Sequence, residues 1–181
     1  MSIEEDEIEE KGKEAQVGFE KFMDAINVPY LGISNDRETF SAVLNATLNS
    51  KRPDYLLLLG KAGVLPVEVK YRREDLKGYE NYNLGRDEVE RYLNFSEAFG
   101  VDVWYAISNI QMKYAIWYWV SVNDIDEKGF EIRTNRDTGK EFYVAPKKEL
   151  IKVSANDEIP LAKVVHKLTM PHITSHTAAK E

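Results

Sequence analysis

The stretch from Lys51 to Lys70 constrains the fold of this chain most strongly. It reads KRPDYLLLLGKAGVLPVEVK, in which two apolar runs flank the short break GKAG, and this pattern predicts a β-hairpin. An acid, Asp54, opens the first arm, and Glu68 and Lys70 close the second. Since side chains alternate between the faces of a strand, Glu68 and Lys70 are expected to share one face. The turn decides whether Asp54 joins them.

The length of the turn sets the register of the hairpin. A three-residue turn over 61–63, with its glycine in the left-handed conformation, is a common hairpin type and is the one we expect. In this register Asp54 lies opposite Lys70 and diagonal to Glu68. A turn of two or four residues would shift the register by one and send Asp54 to the other face. Pro66 cannot donate to a sheet ladder, so an edge position or a bulge is expected there.

Composition indicates one globular domain. The 181 residues are 43% hydrophobic and 11% aromatic, which leaves room for a real core. The absence of cysteine excludes a disulfide scaffold and cysteine-ligated zinc, and it fits the reducing cytoplasm, where we expect the protein to reside. The N-terminus is acidic rather than signal-like, and no apolar run approaches the ~20 residues of a membrane span. The net charge of −7 argues against non-specific coating of nucleic acid through overall charge, while a local basic patch can still act.

The rest of the chain alternates helical and strand patterns. Helices are predicted at 13–26, 36–48 and 87–99. Strands are predicted at 28–34, 101–108 and 114–122 and, as short pieces, in FEIRT, EFYVA and LIKVS. The three tryptophans are expected in the core: Trp104, Trp117 and Trp119. The acidic run 2–10 is interpreted as a solvated helix start or frayed tail, 70–86 as a loop, and NDIDEKG as a turn.

The combination Pro53-Asp54 followed by Glu68-Val69-Lys70 resembles the PD-(D/E)xK nuclease superfamily, the restriction-endonuclease-like and Holliday-junction-resolvase-like group. The resemblance covers roughly residues 12–120. It implies an α/β fold of the α+β type, in which helices flank a mixed central sheet in the order αβββαβ, with extra C-terminal strands. We expect a single domain over 1–181, divided as a core at about 12–120, additional strands at 121–170 and a mobile tail at 171–181.

The same residues indicate a metal-dependent nuclease that hydrolyses DNA phosphodiester bonds. Phosphodiester hydrolysis needs a hard cation, and Mg²⁺ or Mn²⁺ prefers oxygen ligands such as those of Asp54 and Glu68. The family pattern implies the carbonyl of Val69 as a third ligand. Lys70 would orient or deprotonate the attacking water, or stabilise the pentavalent phosphate, and acting as a base would require a lowered pKa.

The first helix supplies another acid in this superfamily. The expected position falls on Gln16, and Glu20, one turn later, is the best candidate acid, ahead of Glu14. Whether the site holds one or two metal ions therefore stays open. In the predicted helix 87–99, Glu88 and Tyr92 match the spacing of a Gln-x-x-x-Tyr pattern found in one branch, with Glu in the place of Gln. We expect Tyr92 to be a core residue first and a neighbour of the site second.

Basic residues flank both ends of the hairpin and predict a rim that binds nucleic-acid phosphates. They are Lys51, Arg52, Arg72, Arg73 and Lys77. DNA is the expected partner, and binding of RNA stays open. No membrane partner is expected. A homodimer would help to cut both strands. Two alternatives remain: a non-catalytic nucleic-acid-binding module on the same fold, and an acidic interaction protein that mimics DNA.

Overall fold

The computed structural model describes residues 3–33, 49–72, 80–158 and 160–169. Its helices are α1 (Ile3–Ala25), α2 (Arg86–Phe99), α3 (Val122–Glu127) and α4 (Ala162–Thr169). Its strands are β1 (Tyr30–Gly32), β2 (Tyr55–Leu58), β3 (Val64–Tyr71), β4 (Asn81–Gly85), β5 (Trp104–Ser108), β6 (Ile116–Ser121), β7 (Ile132–Thr134), β8 (Glu141–Pro146) and β9 (Ile151–Ser154).

Six of these strands form a mixed central sheet in the order β1-β2-β3-β5-β6-β9. The β3–β5 pair is parallel, and the other pairs in this sheet are antiparallel. A second sheet has the order β4-β8-β7. The predicted core of helix, three strands, helix and strand is confirmed, with β4 inserted before α2 and further strands after β5. None of the helices in the described ranges is both long and apolar enough to cross a membrane.

Helices cover both faces of the central sheet. Phe19 of α1 packs against Trp117, with 5.2 Å between the ring centres, in a core that also contains Val67 and Val69. On the other face, Tyr92 of α2 packs in a second core cluster. Trp104, Trp117 and Trp119 are at most 1% exposed, so the prediction that they are core residues is confirmed. Because side chains alternate along β3, burying its valines against α1 turns its charged residues toward α2.

The register of the β2–β3 hairpin differs from the predicted one. The paired residues run from Tyr55↔Val67 to Leu58↔Val64, so five residues, 59–63, form the connection. The prediction of a three-residue turn with Asp54 opposite Lys70 is wrong, because this register brings Asp54 level with Glu68 instead. Since the displacement is two residues, Asp54 still shares their face.

The longer turn has a local cause. Gly60 begins a 3₁₀ turn at Gly60–Ala62, and Gly63 follows it directly. Both glycines have positive φ, of 60° and 97°. Leu59 N–H donates to the carbonyl of Gly63 at 2.9 Å and closes the turn. Pro66 pairs with Leu56 without a bulge, and the pairing of β3 with β5 begins one residue later, so this stretch of β3 is edge-like on one side.

Other element predictions differ at particular places. α2 lies where a helix was predicted and ends at Gly100, which has a φ of 63°. Part of the predicted loop 70–86 is strand β4, whose Tyr82 and Leu84 are buried while Asn83 is exposed, a period of two. The predicted turn after β6 is helix α3, capped by Ser121 Oγ, which accepts from Asp124 N–H at 2.9 Å. The predicted helix 36–48 and the tail 171–181 lie outside the described residues.

Candidate active site

Asp54, Glu68 and Lys70 meet at the end of the hairpin away from its turn. Asp54 is 8% exposed and Glu68 is 3% exposed, so both carboxylates are buried. The backbone N–H of Val69 donates to Asp54 Oδ2 at 2.9 Å, which holds this carboxylate against β3 beyond the last pair of the β2–β3 ladder. Lys70 Nζ lies 2.7 Å from Glu68 Oε1. The structure therefore brings together the three residues that the motif singled out.

Two further residues complete a closed arrangement of charges, which we call the lysine–glutamate ring: Lys51, Glu68, Lys70 and Glu88. Lys51 Nζ lies 2.8 Å from Glu68 Oε1 and 2.5 Å from Glu88 Oε1. Lys70 Nζ lies 2.7 Å from the same oxygen of each glutamate. Each ammonium group therefore contacts both carboxylates, and each carboxylate contacts both ammonium groups.

The charges of the ring and the burial of the site shift the pKa values of Lys51, Glu88 and Asp54. Burial and the negative charge of Glu68 raise the pKa of Asp54 to about 7, against the opposing effects of the Val69 N–H and the two lysines. Burial opposes ionisation of Glu88, but Lys70 and Lys51 outweigh it and lower the pKa of Glu88 to about 2. Burial alone would lower the pKa of Lys51, yet the two glutamates raise it above its usual range. The surroundings of Asp54 thus disfavour its ionised form, whereas those of Glu88 favour it.

The available oxygen atoms suit a hard divalent cation. Glu68 Oε2 is buried and accepts no hydrogen bond from the described residues, whereas Oε1 receives both lysines. The N–H and C=O of a strand residue point toward the same neighbour, so the Val69 carbonyl also faces the Asp54 side, beyond the end of the ladder. The described ranges contain no group of three or more Asp, Glu, His or Cys side chains that would hold a metal. The donor set here is two carboxylates and one carbonyl, which fits Mg²⁺ or Mn²⁺.

The structure does not bring Glu20 into this group. Glu20 Oε1 accepts a hydrogen bond from the Tyr55 hydroxyl at 2.8 Å. The Tyr55 ring packs against Phe19 of α1, with 5.1 Å between ring centres, on the face of β2 opposite that of Asp54 and Glu68. Of the other two candidate positions on α1, Gln16 is half-buried and Glu14 is exposed.

The residues predicted to bind nucleic acid have varied surroundings. Lys51 belongs to the lysine–glutamate ring, and Arg52 is half-buried, with its carbonyl accepting from the Tyr92 hydroxyl at 3.4 Å. The Arg72 guanidinium donates to the carbonyls of Asn83, at 3.2 and 3.0 Å, and Tyr71, at 3.0 Å. These contacts tie the end of β3 to β4. Arg73 and Lys77 lie outside the described residues.

Glu88 is the site residue to which sequence reasoning assigned no role. The signal was present, because Glu88 and Tyr92 are one helical turn apart and matched a known spacing. Tyr92 is fully buried, and Lys51 Nζ lies 5.3 Å from the centre of its ring. Tyr92 is therefore both a core residue and a neighbour of the site, as expected.

The order of helices and strands is that of the restriction-endonuclease-like fold. On its hairpin, two acids and a lysine converge. Among solved structures, the Holliday junction resolvase Hjc of the archaeal hyperthermophile Archaeoglobus fulgidus is similar, with a TM-score of 0.50 and 18% identity over 86% of this chain and 96% of that one. The nuclease D212 of a fusselovirus matches with a TM-score of 0.43 and 14% identity over 84% of each chain. The likeness to Hjc shows the fold. No protein-family model and no curated protein matches this sequence.

Proposed function

We propose that this protein is a metal-dependent nuclease that hydrolyses DNA phosphodiester bonds. The observation that carries the proposal is the convergence of Asp54, Glu68 and Lys70 on one face of the hairpin, with both carboxylates buried. Burying two neighbouring acids costs free energy unless something compensates for their charge. Two lysines contact Glu68 directly, and a bound cation would stabilise the ionised form of Asp54, which burial and Glu68 disfavour, and would occupy the side of Glu68 Oε2.

The site's residues divide the work of such a reaction. Asp54, Glu68 and the Val69 carbonyl would hold Mg²⁺ or Mn²⁺, which when bound supplies charge neutralisation at the phosphate and acidifies water. Glu68 Oε1 holds the Lys70 ammonium group at 2.7 Å, which fixes it beside the proposed metal ligands. From there Lys70 donates hydrogen bonds to the attacking water or to a phosphate oxygen.

A cleavage assay tests the proposal. The protein is incubated with linear duplex, single-stranded and four-way-junction DNA, and with RNA, in the presence of Mg²⁺ or Mn²⁺. We expect cleavage of at least one DNA form, and its loss in Asp54→Ala and Lys70→Ala variants whose circular dichroism is native. Lys61→Ala is the matched control, because Lys61 is exposed in the turn of the same hairpin. No cleavage of any substrate, together with no divalent-ion binding by calorimetry, would contradict the proposal.

The second candidate function is a non-catalytic DNA-binding module on the same fold. Two observations favour it: Glu20 lies on the opposite face of β2, and both lysines bind the same oxygen of Glu68. The same assay separates the two functions. DNA binding by the wild-type protein without cleavage under any metal condition supports the binding module.

A further inference from the structure

We propose that Lys51 and Lys70 form a binding site for a phosphate oxyanion, and that the carboxylate of Glu88 occupies this site until a phosphate displaces it. The inference rests on the proposed function only for the identity of the natural ligand, a phosphodiester of the DNA backbone. The anion site itself follows from the geometry of the lysine–glutamate ring.

The first argument is the way in which Glu88 is bound. A single oxygen, Oε1, receives Lys51 Nζ at 2.5 Å and Lys70 Nζ at 2.7 Å. The two ammonium groups thus converge on one anionic oxygen that comes from a different element, α2. A phosphate oxygen binds lysine through the same charge-assisted hydrogen bonds.

The second argument is that the two glutamates of the ring differ in their access to solvent. The side chain of Glu68 is 3% exposed and belongs to the central strand β3, whereas that of Glu88 is 19% exposed. Lys51, at 31%, and Lys70, at 16%, are also partly open. Glu88 is therefore the outer anion, and it can leave toward solvent while Glu68 continues to hold both lysines.

The third argument is charge balance. The ring contains two ammonium groups and two carboxylates. A phosphodiester carries one negative charge, as the Glu88 carboxylate does, so the exchange of one for the other preserves the neutral ring. Free inorganic phosphate presents the same oxygens, and the test separates these two sources.

Glu88→Gln tests the competition, because it removes the negative charge while it retains the shape of the side chain. Binding is measured by fluorescence anisotropy with a short labelled DNA duplex in EDTA, so that neither metal nor cleavage contributes. We expect the dissociation constant to fall about tenfold relative to wild type, since a like charge no longer competes with the phosphate. Glu97→Gln is the matched control, because Glu97 is exposed on the same helix and its replacement changes the net charge equally.

If Lys51 and Lys70 form the anion site, the higher DNA affinity of Glu88→Gln must depend on both lysines. In the Glu88→Gln background, Lys51→Met is expected to abolish the increase in affinity. Inorganic phosphate, followed by ³¹P line broadening, provides a second readout that needs no Lys51 variant. Tighter phosphate binding by Glu88→Gln than by Glu97→Gln, without tighter DNA binding, supports the anion site and assigns it to free phosphate.

Equal affinities of Glu88→Gln and Glu97→Gln for both DNA and phosphate would overturn this inference. That result would leave the nuclease proposal standing if the wild-type protein still cleaves DNA. Conversely, a protein that cleaves no substrate, but whose Glu88→Gln variant binds phosphate more tightly, supports the anion site and contradicts the proposed function.

Discussion

Glu68 of β3 and Glu88 of α2 share both of their lysine partners. The same oxygen of each, Oε1, receives Lys51 and Lys70 at distances of 2.5 to 2.8 Å. This relationship links the strand that carries the proposed metal ligand to the first turn of the helix that covers its face. It also distinguishes the two oxygens of Glu68, because Oε1 binds both lysines and the buried Oε2 accepts no hydrogen bond from the described residues.

The position of Glu20 predicts that this acid does not take part in cleavage. Glu20→Gln retains an oxygen to accept the Tyr55 hydroxyl, so we expect the single-turnover rate to stay within about threefold of wild type. Glu68→Gln should lower the rate by about a hundredfold or more, since it removes a proposed metal ligand. Rates are measured on the DNA form that the cleavage assay selects. A loss in Glu20→Gln as large as that in Glu68→Gln would show that Glu20 reaches the site.

The raised pKa of Asp54 leads us to expect that the stability of the folded protein depends on pH. Its pKa is raised to about 7 from the ordinary 3.8, so the folded protein binds this proton more tightly than the unfolded chain does. The contribution of Asp54 to the free energy of unfolding of the metal-free wild-type protein should therefore fall as the pH rises from about 4 to about 7. Asp54→Asn keeps an acceptor for the Val69 N–H and removes the charge. We expect it to be more stable than wild type at pH 8 by roughly 2 to 4 kcal/mol.

Urea unfolding at a series of pH values checks this prediction. The difference in free energy of unfolding between Asp54→Asn and wild type should be small near pH 4, grow to about pH 7 and then level off. Asp87→Asn is the control, because Asp87 is an exposed acid at the start of α2. If the difference for Asp54→Asn is independent of pH, the carboxylate is not titrating where its surroundings indicate.

Divalent ions should stabilise the folded protein through the same carboxylates. With Mn²⁺ or Mg²⁺ at about a hundred times its dissociation constant, the expected stabilisation of the wild type is about 2.7 kcal/mol. Thermal unfolding with and without metal measures it. Asp54→Asn and Glu68→Gln should lose most of the shift. An equal shift in all three proteins would place the ion elsewhere.

Gly18 marks a close approach between α1 and the loop before β6. A Cβ at this position would lie 2.4 Å from the ring of Tyr114, so Gly18→Ala forces the ring or the helix to move. We expect a loss of roughly 1 to 3 kcal/mol in free energy of unfolding. Gly12→Ala, on the same helix with no atom within 4 Å, should instead be stabilising by up to about 1 kcal/mol. Equal effects of the two substitutions would contradict the close contact.

Elements with a strong local signal were the predictable part of the fold. α2 was predicted at 87–99 and lies at Arg86–Phe99, because its apolar stripe and Gly100 define both the face and the end. β4 was missed because Asn81, Asn83 and Gly85 resemble a loop, and its alternating burial depends on pairing with β8. The predicted register of the hairpin was also wrong, since two glycines permit more than one turn length.

By itself, the sequence determined that Glu68 and Lys70 share a face, because that follows from the two-residue period of a strand. The tertiary structure decided the face of Asp54, because the sequence was compatible with several registers and the predicted one was in error by two residues, a shift that leaves its face unchanged. Only the tertiary structure decided that Lys51 and Glu88 join them and that Glu20 does not. Contacts between segments distant in the chain depend on how β3, β5 and α2 pack, and local patterns alone do not determine that packing.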